Sequence, residues 1–399
     1  MSARKFTQIR FNHYDPEIMQ DPYAVFAEVR SKCPLGHSDE LGGFFFPTTY
    51  EGVKRAFSDF RTFTSTDGTG LPRQPLPLLP VDLDPPVHTA WRRTLNRFFT
   101  VEAAEADRER IQQVADTLID AFIERGYADA VNELTRPFLA MSMLPVIGVP
   151  LEDRVELGNK LLWLVHNRVV DPEGGMKVYN EIGVYLTELA AKRRLAEQRD
   201  DLLQCLITQD FGGQKLDDGQ VYQVLLLTLF GALDSTSSAM SGSLLHLARH
   251  PEDKARLVKG EVEWPVALDE FIRFTTPIQA LRRMATKEVE IDGGTLYPGD
   301  QLLALNGAAN RDPAKFPEPE KCILGRDATD HMSFGSGAHV CIGRHFARLM
   351  LGTCLKTMLA RAYDFTVEDG FQPEYTPSEA RAIKSLPIRF TPGNRVHAV

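Results

Sequence analysis

Apolar residues along this chain recur mainly three and four apart, and they are densest over residues 219–250. There Val221, Val224, Leu225, Leu226, Leu227, Leu229 and Phe230 lead on to Leu244, Leu245 and Leu247, which predicts one long buried helix. Its middle, Gly231-Ala232-Leu233-Asp234-Ser235-Thr236-Ser237-Ser238, is poor helix-forming material. Two readings of that interruption stand level on spacing alone. In one, Asp234 or Ser235 caps a second helix after a turn at Gly231. In the other, small residues let a continuous helix pass close over a ligand, with an acid beside a hydroxyl able to relay protons. A shorter helical pattern (Ile342, Phe346, Leu349, Met350, Leu355) begins directly after Cys341. Strand patterns are confined to residues 43–48, the 289–304 region, 364–367 and 386–390, and the proline-rich piece 71–86 reads as a linker. The expected fold class is mainly α with small β-sheets.

At 399 residues and 43% hydrophobic, the chain can bury the core of one large domain, expected over 1–399. A formal net charge of −9 argues against nucleic acid as the main partner. No apolar run approaches the ~18 residues of a membrane span. Met1-Ser2-Ala3-Arg4-Lys5 continues into polar sequence without a signal-peptide core, so a cytoplasmic protein without a membrane anchor is expected, and a monomer is the expected state. Five cysteines, unpatterned, agree with a reducing compartment. Cys33, Cys205, Cys322 and Cys354 read as ordinary buried thiols.

Cys341 reads differently. It lies in Phe334-Gly335-Ser336-Gly337-Ala338-His339-Val340-Cys341-Ile342-Gly343, with no second cysteine for a disulfide and no short-spaced ligand set for zinc. Gly335 and Gly337 allow a tight turn whose amides can face the sulfur, and the following helix offers its positive end to an anion. Gly343 leaves no side chain between that helix and a planar macrocycle, and Phe334 can screen the sulfur from water. The whole string resembles the haem-binding signature of the cytochrome P450 family, in which the cysteine thiolate is the axial iron ligand.

The resemblance covers nearly the whole chain and implies a single helix-rich domain. In it, Glu270 and Arg273 (Glu-x-x-Arg) lock onto a meander running from Asn310 to Arg326, where Cys322 replaces a frequent aromatic. It also implies that His88, Arg92, Arg283 and His339 hold the propionates of haem b, iron protoporphyrin IX. Asp234 and Ser235 take the acid–alcohol position of the central helix, with Thr236 one place beyond the usual threonine, and the piece 71–86 becomes a loop closing over the haem. The implied activity is monooxygenation: one atom of dioxygen enters a small hydrophobic substrate such as a terpenoid, an aromatic or a short fatty acid. Electrons would come from NAD(P)H through a ferredoxin reductase and a separate ferredoxin, docked on the cysteine side near Arg93, Arg97, Arg344 and Arg348. Family positions of the substrate pocket correspond to Leu76, Leu78, Leu233, Ile278, Gln279, Ala280, Ala382 and Ile383, with Gln279 the one polar contact. Leu41-Gly42-Gly43, 171–176 and the closing His397-Ala398-Val399 resemble the camphor-hydroxylating branch. Leu76 stands where that branch has a tyrosine, so its mode of ketone recognition is not expected. A peroxide-driven peroxygenase would share Cys341 but would not need Asp234-Ser235, and a haem sensor would give ligand-linked spectral change without product.

Overall fold

The computed structural model describes residues 4–376 and 378–397, and its central element is a single helix, Asp218–Arg249. Asp217 and Gln220 start it with a reciprocal capping box. No turn occurs at Gly231. The hydroxyls that make this stretch a poor helix former bond inside the helix: Ser235 Oγ donates to the Gly231 carbonyl at 3.0 Å and Ser241 Oγ to the Ser237 carbonyl at 2.7 Å. Thr135 Oγ1 adds tertiary support, lying 2.8 Å from Ser237 Oγ and 3.0 Å from Ser241 Oγ. Packing and buried hydroxyl pairing thus outweigh propensity.

By length and composition this helix could cross a membrane, which corrects the expectation that no segment is apolar enough; 67% of its most apolar window is buried within the fold. It is the middle of the main core. The helices Arg136–Ile147, Arg154–Asn167, Pro172–Arg194 and Arg344–Arg361 pack around it.

The β part is small. Its strands are β1 (Thr7–Gln8), β2 (Leu35–Ser38), β3 (Phe44–Pro47), β4 (Phe63–Thr64) and β5 (Tyr127–Asp129) in the first third of the chain. They are followed by β6 (Ala280–Ala285), β7 (Val289–Ile291), β8 (Gly294–Leu296), β9 (Gln301–Leu305) and β10 (Pro387–Arg389). One sheet runs β1-β2-β3-β9-β6-β4, while β7-β8 and β5-β10 are separate two-stranded pairs. The expected strands at 43–48 and 386–390 are β3 and β10, and the 289–304 region divides into β7, β8 and β9. Residues 364–367 form no ladder, only the bridge Thr366–Arg389 on the edge of β10 away from β5. β6 was hidden in the sequence because it buries two guanidinium groups, Arg282 and Arg283, where strands ordinarily bury apolar side chains.

The piece 71–86 is no linker. Asp82 accepts from the Thr69 N–H at 2.9 Å and the Leu78 N–H at 2.8 Å, and Leu71, Leu78 and Leu79 are buried. It is an ordered loop against the main cavity. Of the closing tripeptide, Ala398 and Val399 lie outside the described residues.

Glu270 and Arg273 lie on the helix Trp264–Thr275 with fully buried side chains. Arg273 Nε and Nη2 meet the two Glu270 oxygens at 2.7 and 2.9 Å. Arg273 also donates to the carbonyls of Asn310, Pro319 and Lys321, and Glu270 accepts from the Ile323 N–H and from Arg326. The pair therefore joins one helix to the segment 310–326, which leads into the cysteine loop.

Candidate active site

Cys341 follows two single helical turns, Met332–Phe334 and Gly337–His339. Gly335 and Gly337 separate and shape them at φ of 68° and 71°, and a Cβ on Gly337 would stand 2.7 Å from Ser58 Cα. The Cys341 N–H donates to the Phe334 carbonyl at 2.9 Å, fixing the loop. Gly343 caps the helix Arg344–Arg361, so the sulfur sits two residues before that helix's first turn. Burial pushes the Cys341 thiol above its ordinary range, while the Gly343 N–H and the guanidiniums of Arg92, Arg344 and Arg348 pull it down. A metal ion is the partner that reverses such a balance, because it takes the thiolate outright. Among the described residues no group of three His, Cys, Asp or Glu side chains is placed to hold a metal. One thiolate therefore suits an iron that brings its other ligands with it.

The basic side chains beside it, two guanidiniums and two imidazoles, ask for a hydrogen-bond acceptor. Arg283 is 1% exposed, with Nη1 donating to the Arg282 carbonyl at 2.8 Å and Nη2 without a protein partner. Burial pushes it down to about 10. The His88 and His339 rings lie with centroids 4.0 Å apart at a tilt of 36°, and the Nδ1 of each is unpartnered. Burial first, then neighbouring cations, hold them down to about 4 and about 3 respectively. Arg92 Nη2 reaches the Val340 carbonyl at 2.9 Å. The nearest acids are engaged elsewhere, Asp84 with Thr64 and Ser65, and Asp82 with Thr69 and Leu78. Buried donors left this way are matched by carboxylates such as haem propionates. The residues fit the group.

Asp234, Ser235 and Thr236 line the same cavity, of about 390 Å³, as Cys341, Arg92, Arg283 and the imidazoles of His88 and His339. Asp234 Oδ1 is 2.9 Å from His166 Nε2, and its buried Oδ2 has no protein partner. His166, on the helix Arg154–Asn167, was not legible beforehand: its partner is 68 residues away and no local pattern links them.

The expected substrate residues divide. Leu78 and Ile278 line the cavity. Leu76 is 41% exposed, projecting from the loop's outer side. Leu233 lies two residues from Ser235, about 200° round the helix, and is buried in the core. Gln279 follows Ile278 in extended chain and so faces the other way, with Nε2 donating to the Thr276 carbonyl at 2.5 Å. Ala280, Ala382 and Ile383 are buried in packing, and the bridge Ile278–Ala380 brings Ala380 to the wall in their place. Among the polar wall residues that were not anticipated are Gln74, Arg168 and Glu379. On the cysteine side, Arg92, Arg93, Arg344 and His345 line an open depression. Arg97 pairs with Asp200 at 3.8 Å and Arg348 with Asp269 at 2.8 Å, so these two expected docking cations are already engaged.

Comparison with known proteins agrees with this geometry. The family model for Cytochrome P450 matches residues 176–262 and 265–391. A steroid C26-monooxygenase of Mycobacterium tuberculosis is 29% identical, over 92% of this chain and 94% of that protein. The 6-deoxyerythronolide B hydroxylase of Saccharopolyspora erythraea is 30% identical, over 86% and 88%. Among solved structures, CYP108D1 from Novosphingobium aromaticivorans gives a TM-score of 0.83 at 27% identity, covering 94% and 96% of the two chains. The bottromycin biosynthetic protein SalCYP gives 0.84 at 26% identity, covering 98% and 96%.

Proposed function

The chain belongs to the cytochrome P450 family and is a haem monooxygenase; on that premise we propose that it oxidises a compact hydrophobic substrate with electrons from a separate ferredoxin-type protein. One observation carries this reading. A half-buried sulfur donor, buried guanidinium and imidazole nitrogens without protein partners, and an acid beside two hydroxyls converge on one cavity from distant parts of the chain. When bound, the haem supplies the dioxygen chemistry, helped by electron donation from its thiolate ligand. Cys341 Sγ would hold the iron, with Phe334 screening it and Gly335 and Gly343 giving room to the macrocycle. His88, Arg92, Arg283 and His339 would hold the propionates.

Asp234 is the proton-handling group, with Oδ1 fixed by His166 and Oδ2 free to take and give a proton. Ser235 Oγ can leave its bond to the Gly231 carbonyl, and Thr236 offers a second hydroxyl. Asp234→Asn is expected to cut product formation roughly 100-fold while leaving ligand-induced spin-state change intact. Turnover equal to the parent enzyme would remove Asp234 from this role. Comparing Ser235→Ala with Thr236→Val then shows which hydroxyl matters.

Apolar walls such as Leu78, Phe230, Ile278 and Ala380 suit a terpenoid, an aromatic or a short fatty acid, and a cavity shared with the haem suits a compact one. The test is a compound library screened for conversion of the iron from low to high spin, followed by product analysis with ferredoxin, its reductase and NAD(P)H in air. Hits that gain one oxygen atom only with the redox partners support the reading, and hits that are never oxidised oppose it.

Exposed Arg93 and half-buried Arg344 rim the cysteine-side depression and give an acidic partner its landing place on a protein of net charge −9. Charge reversal at Arg93 or Arg344 is expected to slow reduction by ferredoxin about tenfold at low salt, with substrate affinity preserved. Unchanged stopped-flow reduction rates would rule out this docking face. We assign the protein to the cytoplasm on the same reading.

A further inference from the structure

Gln74, Arg168 and Glu379 stand on an otherwise largely apolar stretch of the cavity wall. They come from the loop 71–86, the residue that ends the helix Arg154–Asn167, and the C-terminal loop. Arg168 Nη2 bonds to Glu379 Oε1 and, at 3.0 Å, to the Tyr14 hydroxyl. With its carboxamide oxygen turned to the guanidinium, Gln74 accepts from Arg168 Nη1 at 3.2 Å and Nη2 at 2.9 Å. The two charged side chains are 14% and 18% exposed. Burial works against both charges, yet Arg168 with Tyr14 holds Glu379 below the usual carboxylate range, and Glu379 holds Arg168 above its own. The pair is ionised, and neutral as a unit.

Such a wall selects by chemistry. A hydrocarbon laid against it strips water from both charges and returns no hydrogen bond. A free carboxylate or ammonium must displace one partner and leave the other unmatched in a low-dielectric site. A neutral hydroxyl, ketone or amide can accept from the guanidinium or donate to the carboxylate without separating them. We propose that Gln74, Arg168 and Glu379 are specificity-determining residues, and that the substrate is an apolar molecule carrying one neutral hydrogen-bonding group that docks on this pair. The proposal rests on the monooxygenase reading above and adds a polar end to its substrate. The polar contact expected of Gln279 thereby passes to a different set of residues.

The test uses one rigid skeleton in four forms: adamantane, adamantanol, adamantanone and adamantane carboxylate. Each is titrated into the haem-loaded enzyme by spin-state change and by calorimetry. The alcohol and the ketone are expected to bind at least about tenfold tighter than the hydrocarbon and the carboxylate. In Gln74→Leu and in the double variant Arg168→Met/Glu379→Met, that margin is expected to shrink to about twofold or less. Glu379→Gln keeps shape but leaves the guanidinium uncompensated, so it should raise carboxylate affinity about tenfold, and it carries the test if the double variant does not fold. The proposal fails if the margin is unchanged in the variants, if the parent enzyme prefers the hydrocarbon or the carboxylate, or if none of the four binds. The red-shifted absorption of the reduced, carbon monoxide-bound parent protein is read in parallel. Its absence would overturn the haem-thiolate reading instead, so the two failures are distinguishable.

Discussion

Replacing Cys341 with alanine is expected to erase the strongly red-shifted absorption of the reduced, carbon monoxide-bound protein and to reduce oxygenation to background. The reason is that the site offers one soft, ionisable donor and nothing to stand in for it. No three metal-ligating side chains cluster among the described residues, and the imidazoles of His88 and His339 belong, with Arg92 and Arg283, to the group of nitrogen donors beside the cysteine loop. The fold itself should survive. Cys341 is half-buried, the loop is held by its own N–H bonding to the Phe334 carbonyl, and Gly335 and Gly337 keep their positive φ whatever stands at 341. Losing the sulfur therefore removes electron donation to the iron without removing the cavity. Absorption spectra and product analysis on the purified variant check this. A variant that kept the red shift would show that the iron is held by another residue, and the assignment of the loop would fall.

The largest effect on stability is expected at Arg273 and Glu270. Both side chains are completely buried, and together they bond to one another, to three backbone carbonyls, to one backbone N–H and to Arg326. Arg273→Ala leaves the buried Glu270 carboxyl with only Arg326 and the Ile323 N–H as partners. Breaking a buried pair in this way costs about 3–5 kcal/mol. A domain's whole stability is about 5–15 kcal/mol. Yield and haem content should therefore collapse, because the segment 310–326 that the pair anchors runs into the cysteine loop. Arg273→Lys should rescue little, since an ammonium cannot make the bidentate contact and reach three carbonyls together. Denaturant midpoints and haem-to-protein ratios are the measurements. An Arg273→Ala protein within about 0.5 kcal/mol of the parent, the range of neutral surface changes, would contradict this account.

The residues differ in how far they could be read without coordinates. The cysteine loop was legible because its requirements are local: two glycines at left-handed φ, a sulfur and a helix start, all within ten positions. Glu270 and Arg273 were legible as neighbours on a helix face, three residues apart, but not as a fully buried pair. The substrate wall was mostly not legible. Leu76 points out and Leu78 in, Gln279 turns from the cavity while Ile278 meets it, and Ala380 replaces Ile383. A shift of one or two positions in a loop or strand exchanges wall for exterior, and apolarity alone does not report which side faces in.

What the amino-acid order determined unaided was whatever depends on near neighbours: the apolar helical runs on either side of Gly231–Ser238 by their spacing, the small share of strand, and the thiolate loop by its glycines. Tertiary structure decided the pairings across distance, such as Asp234 with His166, 68 residues apart, and Arg168 with Glu379, 211 apart. It also decided that the Gly231–Ser238 stretch stays helical, through Thr135 reaching across to Ser237 and Ser241. The physical reason is one of range. Backbone sterics and side-chain periodicity act within a turn or two, whereas a buried polar group takes whichever partner the packed chain delivers to it.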